Sequence, residues 1–307
     1  MGRRLAIRVA AGLVALILVG IAAVAYTGYA LSNRLSEPAR LDIPVGAPTN
    51  PRQAYRLAYR QVDVPAPIGK FPAWYLPVRG STWALVVHGW GAPKAEALPM
   101  LPILHRLGLS VLVVSYRGDP GAPASSDGLS HLAASEWRDL QSAAIYARNH
   151  GARRLVLVGY SMGGAIVCNF LRFSPQSQLV GAVILDAPVL DWNGVLRALA
   201  NRDGVPSQLV PITELVISQR IGFSFARYDQ LAHAAAFHAP ILILHGTNDQ
   251  IVPFQTSQQF ARLRPDLVTL VPFPGAGHTQ AWTSNPARYD SAIERFLAAT
   301  LTHSRPA

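Results

Sequence analysis

The sequence contains very little cysteine and little charge. Cys168 is the single cysteine among 307 residues, so no disulfide can form within the chain and no cysteine-rich metal site can be built. Carboxylates and histidines do not occur at the spacing of metal ligands, and no glycine-rich turn has the strand–GxGxxG–helix pattern of a dinucleotide site. We therefore predict no metal and no cofactor.

The positive charge is concentrated near the N-terminus. The formal net charge is +10, of which residues 1–70 carry +6 and the remaining 237 residues carry +4. Charge that follows an apolar segment is better explained by contact with anionic lipid than by a nucleic-acid groove. We predict no nucleic-acid partner, and nothing in the sequence indicates a protein partner.

An uncharged segment follows the first arginines. Residues 9–33 contain no charged side chain, and residues 9–25 are almost wholly apolar, which is long enough to cross a bilayer. Arg3, Arg4 and Arg8 favour a cytoplasmic N-terminus, with the rest of the chain outside the cytoplasm. Residues 1–30 are therefore predicted to be a transmembrane anchor in contact with membrane lipid. The alternative is a signal peptide cleaved after Ala30, which would give a secreted protein.

The remaining chain divides by composition. Residues 31–52 contain four prolines and are predicted to form an extended, loosely structured linker. Residues 53–302 alternate buried strands with helices, including helices over 95–107 and 134–150, which predicts an α/β domain with a doubly wound, mainly parallel sheet. The alternation is interrupted at about 191–237, where apolar residues separated by prolines indicate an inserted cap of short helices.

One segment has the pattern of a nucleophile elbow. The apolar run 155–158 predicts a buried strand, and it passes through Gly159-Tyr160-Ser161-Met162-Gly163 into a predicted helix. The glycines remove side chains where the turn is strained and the helix approaches the strand. Ser161 is the candidate nucleophile, and the Met162 N–H at the helix N-terminus is a candidate oxyanion donor.

A serine nucleophile needs a base and a group that orients the base. Loops at the carboxyl ends of parallel strands meet in one crevice, so polar residues that follow strands are the candidates. The chain order Ser161, Asp249, His278 is the order expected of a Ser–Asp–His triad in this architecture. Asp186, which also ends a strand, is the alternative acid.

Four motifs resemble those of the α/β-hydrolase superfamily over about residues 53–302. They are HGW at 88–90, GYSMGG at 159–164, HGTND at 245–249 and GAGH at 275–278. The resemblance implies the α/β-hydrolase fold and a second oxyanion donor at the Trp90 N–H. Within the superfamily the chain looks like bacterial serine esterases, lysophospholipases and serine peptidases.

These observations predict a membrane-anchored serine hydrolase, similar to carboxylesterases and lipases. It would cleave an ester or amide bond of a small-molecule or lipid acyl substrate through an acyl-enzyme on Ser161. Two alternatives remain open at this point. One is an acyltransferase that uses the same triad, and the other is a non-catalytic binding protein that has kept the fold.

Overall fold

The computed structural model describes residues 44–302 continuously, together with part of the N-terminal segment. The described N-terminal positions are 8, 12, 14, 15, 20, 26, 28–30, 32, 33 and 35–37. Within this described part of the chain, no helix is both long enough and apolar enough to span a membrane. Most of the predicted anchor at residues 1–30 lies outside the described residues, so the anchor stays a prediction.

Eight strands form one sheet in the order β1-β2-β4-β3-β5-β6-β7-β8. The strands are β1 (Arg60–Ala66), β2 (Gly69–Leu76), β3 (Thr82–Val87), β4 (Ser110–Val114), β5 (Arg154–Tyr160), β6 (Val180–Asp186), β7 (Ile241–Gly246) and β8 (Val268–Phe273). Strands β3 to β8 pair in parallel, whereas β2 pairs antiparallel with β1 and with β4. The predicted mainly parallel sheet is confirmed.

The central strands are apolar along their whole length because both faces of the sheet are covered. Along β3 and β5, Leu85 and Leu157 point into the core on one face, whereas Val86 and Val158 point into the core on the other. A strand that is buried on both faces is stabilised by burial of an apolar side chain at every position, which explains the unbroken apolar runs in the sequence.

Helices cover the two faces of the sheet. They are α1 (Pro51–Tyr55), α2 (Leu101–Arg106), α3 (Trp137–Asn149), α4 (Met162–Phe173), α5 (Trp192–Arg202), α6 (Val210–Ile221), α7 (Phe254–Leu263), α8 (Ala281–Ser284) and α9 (Pro286–Thr302). Helices α3 and α4 pack on one face, and α2 and α9 pack on the opposite face. The sheet therefore lies between two helical layers, as in doubly wound folds.

In two of the predicted helices, the α-helical part begins later than expected. The single helix predicted at 95–107 is a 3₁₀ helix, Lys94–Met100, followed by the short α2. Pro99 lies within the first of these, and a proline in an α-helix removes a hydrogen bond and clashes with the preceding turn. The helix predicted at 134–150 begins at Trp137, and the residues before it form a turn in which Leu132 and Ala133 adopt positive φ angles of 51° and 74°.

The region predicted as a cap contains helices and no strand in the part of the chain that the structure describes. Asp191 caps α5, since its carboxylate accepts the N–H groups of Asn193 and Gly194. Helix α6 ends at Gly222, which has a φ of 62° and so adopts the left-handed conformation that terminates many helices. The segment connects β6 to β7 and therefore lies at the carboxyl edge of the sheet.

The predicted linker at 31–52 is more structured than its prolines indicate. Leu35 and Ser36 are buried, and the Ser36 carbonyl accepts the Ser130 N–H at 2.6 Å. At the other end of the linker, Pro51 begins α1, where its missing N–H costs nothing, and Asn50 caps that helix. These residues are therefore held by tertiary contacts and a helix cap, which the backbone preferences of the prolines do not indicate.

Candidate active site

Ser161 lies at the turn between β5 and α4 and has a strained backbone. Its φ of 49° and ψ of −118° are unfavourable for a residue with a side chain. Two flanking glycines allow the turn, since a Cβ on Gly159 would be 2.6 Å from the Gly163 carbonyl oxygen and a Cβ on Gly163 would clash with the Val87 carbonyl. The Ser161 N–H donates to the Asp186 carbonyl at 2.9 Å, which fixes the turn against β6.

The structure brings the three predicted triad residues together. His278, on the loop after β8, has its Nε2 2.8 Å from Ser161 Oγ and its Nδ1 2.7 Å from Asp249 Oδ2. Since Nδ1 donates to the carboxylate, Nε2 is left to accept the serine hydroxyl proton. This chain of hydrogen bonds joins the candidate nucleophile to the candidate base and to a carboxylate that can orient it, which is the arrangement that serine nucleophiles need.

Asp249 is held by four hydrogen bonds. Its Oδ1 accepts the N–H groups of Ile251 and Val252 at 2.8 and 2.9 Å, and its Oδ2 accepts His278 Nδ1 and also His245 Nε2 at 3.2 Å. Burial opposes ionisation, but the hydrogen bonds from His245 and His278 outweigh it and hold the pKa of the Asp249 carboxyl well below its usual range. The residue is therefore ionised at neutral pH.

Asp186, the alternative acid, has different neighbours. It is 1% exposed, and its Oδ2 accepts the Tyr289 hydroxyl at 2.9 Å. Burial raises the pKa of the Asp186 carboxyl to about 7, against the opposing effect of the Tyr289 hydrogen bond. No hydrogen bond joins its side chain to His278 among the described residues. Asp249, and not Asp186, therefore contacts the candidate base His278.

Two backbone amides next to Ser161 are free to bind an oxyanion. Met162 is the first residue of α4. Trp90 follows Gly89, which lies so close to the serine that a Cβ added to Gly89 would be 3.1 Å from Ser161 Cβ. Across the described residues, neither amide donates to a protein acceptor. Unpaired amides at a helix start and an adjacent loop are suited to stabilise developing negative charge.

The loop that contains Trp90 is braced by buried polar groups. His88 contacts the Asp119 carboxylate through Nε2 at 2.8 Å and the Gly89 carbonyl through Nδ1 at 2.9 Å. Burial opposes protonation, but these two acceptors raise the pKa of His88. The Tyr116 hydroxyl donates to the same Gly89 carbonyl at 2.7 Å. The loop is thereby fixed beside the nucleophile.

Glu96 is a residue of the site that the sequence did not indicate. Its Oε2 accepts the Gly89 N–H at 2.6 Å, and burial raises the pKa of this carboxyl, opposed by the Gly89 hydrogen bond and by His88. Glu96 lies in the 3₁₀ helix after the HGW motif, where no periodicity points to it. A single acidic residue in a short irregular helix gives no recognisable sequence signal.

A cavity of about 310 Å³ opens over Ser161. Most of its lining is apolar, and among the lining residues only Glu96, Arg202 and the candidate base His278 are ionisable. The apolar lining residues are Leu35, Trp90, Ala92, Leu132, Met162, Val189, Trp192, Val195, Leu199, Ile251 and Val252. The volume is at the lower end of the range for small-molecule sites, and the lining suits an apolar group.

Neither the cavity nor the rest of the described chain contains a recognisable metal site. No group of three or more His, Cys, Asp or Glu side chains in the part covered by the structure could hold a metal ion. Cys168 is buried on α4, and burial raises the pKa of its thiol to about 12. It therefore packs as a small apolar residue.

Comparisons with known proteins agree with this architecture. The sequence profile of the prolyl oligopeptidase family matches residues 99–304. An uncharacterized protein of Mycobacterium tuberculosis is 30% identical over 235 residues, which cover 74% of each chain. An esterase of Pyrococcus furiosus superimposes with a TM-score of 0.68 at 16% identity, covering 87% of this chain and 98% of the esterase. A puromycin-hydrolyzing peptidase of Mycobacterium tuberculosis gives a TM-score of 0.60 at 21% identity, covering 81% of this chain and 40% of the peptidase.

Proposed function

Because the chain belongs to the prolyl oligopeptidase family of hydrolases, we propose that it is a serine hydrolase that cleaves carboxylic esters of apolar acids. The observation that carries this proposal is the hydrogen-bonded chain from Ser161 Oγ through His278 to Asp249, with distances of 2.8 and 2.7 Å, beneath a largely apolar cavity. The esterase of Pyrococcus furiosus with the same fold supports ester cleavage.

The mechanism follows from the geometry. Ser161 Oγ attacks the acyl carbon while His278 Nε2 takes the hydroxyl proton, and Asp249 stabilises the resulting imidazolium. The carbonyl oxygen becomes an oxyanion that the N–H groups of Met162 and Trp90 stabilise. Collapse of this intermediate breaks the bond to the leaving alcohol, which receives the proton from His278. Water, deprotonated by the same imidazole, then attacks the acyl-enzyme. As the bond from the acyl carbon to Ser161 Oγ breaks, His278 returns the proton to Oγ, which releases the acid and the free serine.

Hydrolysis of an amide is the second candidate function. The family name and the puromycin-hydrolyzing peptidase with the same fold support it. So does Glu96, a carboxyl group in the cavity wall that would attract the amino group of an aminoacyl substrate. We favour esters because Glu96 Oε2 already accepts the Gly89 N–H and most of the remaining wall is apolar.

We also propose that residues 1–30 anchor the enzyme in a membrane, with the N-terminus in the cytoplasm and the hydrolase on the other side. The support is the uncharged run at 9–33 and the three arginines before it. Secretion after cleavage at Ala30 is the alternative. Either location is compatible with an acyl ester from a lipid or a small molecule as substrate.

Ser161→Ala tests the proposed chemistry. We expect ester hydrolysis to fall by roughly 10⁴-fold or more, because nucleophilic catalysis is lost while binding and the oxyanion donors remain. A fluorophosphonate probe should label the wild type and the control Ser81→Ala, whose serine is exposed, but not Ser161→Ala.

The outcomes separate the alternatives. A folded wild type that the probe does not label would favour a non-catalytic binding protein. Labelling with acyl transfer to an added alcohol in place of hydrolysis would favour an acyltransferase. Faster cleavage of an aminoacyl amide than of the matching ester would favour the second candidate function.

A further inference from the structure

One wall of the cavity comes from outside the hydrolase domain. Leu35 lines the cavity that contains Ser161, together with Leu132 and with Val195 and Leu199 of the cap helix α5. Its side chain is 7% exposed and belongs to the same apolar cluster as these residues. The chain reaches Leu35 before the first strand of the sheet, and composition alone places this residue in a linker.

Contacts on both sides of Leu35 hold this segment in place. On one side the Ser36 carbonyl accepts the Ser130 N–H at 2.6 Å, and the Ser36 side chain is fully buried. On the other side Gly28 lies so close to α6 that a Cβ there would be 3.6 Å from Thr213 Cα, and the Arg220 guanidinium lies 5.3 Å from the centre of the Tyr29 ring. The described residues on the two sides of Leu35 therefore contact the cap helix α6 and the loop at Ser130.

We propose that the described residues of this segment, 28–30, 32, 33, 35 and 36, form a structural wall of the acyl site and that Leu35 determines which acyl chains the enzyme accepts. The proposal rests on the proposed ester hydrolysis and specifies the acyl chains of its substrates. An acyl chain bound over Ser161 shares the cavity with Leu35, so the size of this side chain sets the space that is left. The contact is apolar, so its contribution depends on chain length and not on the leaving group.

The size of the cavity indicates acyl chains of medium length. A volume of about 310 Å³ corresponds to about ten groups the size of a water molecule, at roughly 30 Å³ each. A methylene group is of similar size, so an acyl chain of at most roughly ten carbons, the ester group included, fits between these walls. One methylene more or less in an apolar pocket changes kcat/KM by about 10- to 200-fold, so a change at Leu35 should be easily measured.

The test compares kcat/KM over p-nitrophenyl esters of graded acyl length, with the full-length protein in detergent. Leu35→Ala should move the preferred chain to a longer one, and Leu35→Trp should move it to a shorter one, each changing the ratio between long and short esters by about tenfold or more. The control is Leu215→Ala. That leucine is 59% exposed on α6, lies outside the cavity lining, and should leave the profile unchanged.

A second measurement does not depend on turnover. Cys168 is buried, so Leu35→Cys introduces the one cysteine with a side chain facing the cavity. An apolar maleimide should modify it, and prior reaction of Ser161 with a long-chain alkyl fluorophosphonate should protect it by at least about fivefold, whereas a methyl fluorophosphonate should not.

The results distinguish failure of this inference from failure of the proposed function. A wild type that reacts with no ester and no fluorophosphonate overturns both. An active wild type whose chain-length profile is the same in both Leu35 variants overturns the role of Leu35 alone. A uniform loss of rate at every chain length, with equal maleimide reactivity before and after long-chain labelling, also overturns it, because that pattern reports only a structural contribution.

Discussion

Asp249→Asn is the substitution whose effect follows most directly from the hydrogen bonds of the site. Oδ1 of this residue accepts two backbone N–H groups, from Ile251 and Val252, at 2.8 and 2.9 Å. An asparagine in the same position must place its carbonyl oxygen there, because its amide NH₂ group cannot accept these bonds. The NH₂ group then occupies the position of Oδ2 and faces His278 Nδ1 as a donor.

This reversal changes the proton on the base. His278 Nδ1 must accept a hydrogen bond, so the proton moves to Nε2, which then faces Ser161 Oγ as a donor and cannot take its proton. The corresponding change in serine proteases reduces kcat by about 10⁴-fold, which is about 5 kcal/mol in the activation free energy. We expect a loss of the same order in kcat/KM for a soluble ester, with the thermal unfolding transition retained.

Asp186→Asn is the matched control, since it replaces the other carboxylate at a strand end. Its Oδ2 contacts Tyr289, and its backbone carbonyl, which holds Ser161, is unchanged by the substitution. We expect kcat/KM to stay within about tenfold of the wild type, because no change reaches the reacting atoms. Retention of more than a tenth of the wild-type rate by Asp249→Asn, or an equal loss in Asp186→Asn, would refute the assignment of the acid.

Three further predictions concern the stability of the fold, the loop that contains Trp90 and the cellular location of the protein. The pKa of Asp186 is raised from its ordinary 3.8 to about 7, so the folded state keeps a proton that the unfolded state releases, and stability should fall as pH rises from about 4 to 7 and then level off. In urea unfolding, Asp186→Asn should be up to roughly 4 kcal/mol more stable than the wild type at pH 8 but not at pH 4, and an equal difference at both would contradict this. Glu96→Ala should lower kcat about tenfold, because the Gly89 N–H loses its acceptor and the loop that contains Trp90 shifts. Glu96→Gln should keep most of the rate. Equal losses in the two variants would show that the charge of Glu96 matters instead. Mass spectrometry of the membrane fraction of the native host should find Arg3 and Arg4 in the protein, whereas a soluble form starting near Leu31 would exclude the anchor.

The sheet and the positions of the polar residues could be predicted because both depend on local patterns. A strand buried on two faces requires an apolar run, and β3, β5 and β7 each show one. The carboxyl ends of parallel strands meet at one edge, so a polar residue after such a run can be assigned to the site without knowing the strand order. Ser161, Asp249 and His278 lie together for this reason.

Interactions between residues far apart in the sequence could not be predicted in the same way. Asp186 and Asp249 both follow buried strands, and the sequence does not show that Tyr289 contacts the first of them from α9 while His278 contacts the second. These partners give the two carboxyl groups opposite pKa shifts. The sequence favours Asp249 through the chain order of the triad, but environment and not residue type decides which carboxylate is ionised and oriented toward a histidine, and only the structure shows that contact.

The N-terminal segment shows which contacts its composition does not reveal. Prolines at 38, 44, 48 and 51 report the preferred backbone conformation of residues 31–52, but burial of Leu35 depends on α5 and the loop at Leu132, which the local sequence does not contain. Cleavage after Ala30 would leave Leu35 in the mature chain, and so would an uncleaved anchor. Cleavage would remove Gly28 and Tyr29 together with their contacts to α6, so Leu35 and Ser36 are present in either form of the protein but the contacts to α6 are present only in the anchored form. A recombinant chain beginning at residue 53 lacks Leu35 as well, and it should therefore differ from both forms in the acyl esters that it cleaves.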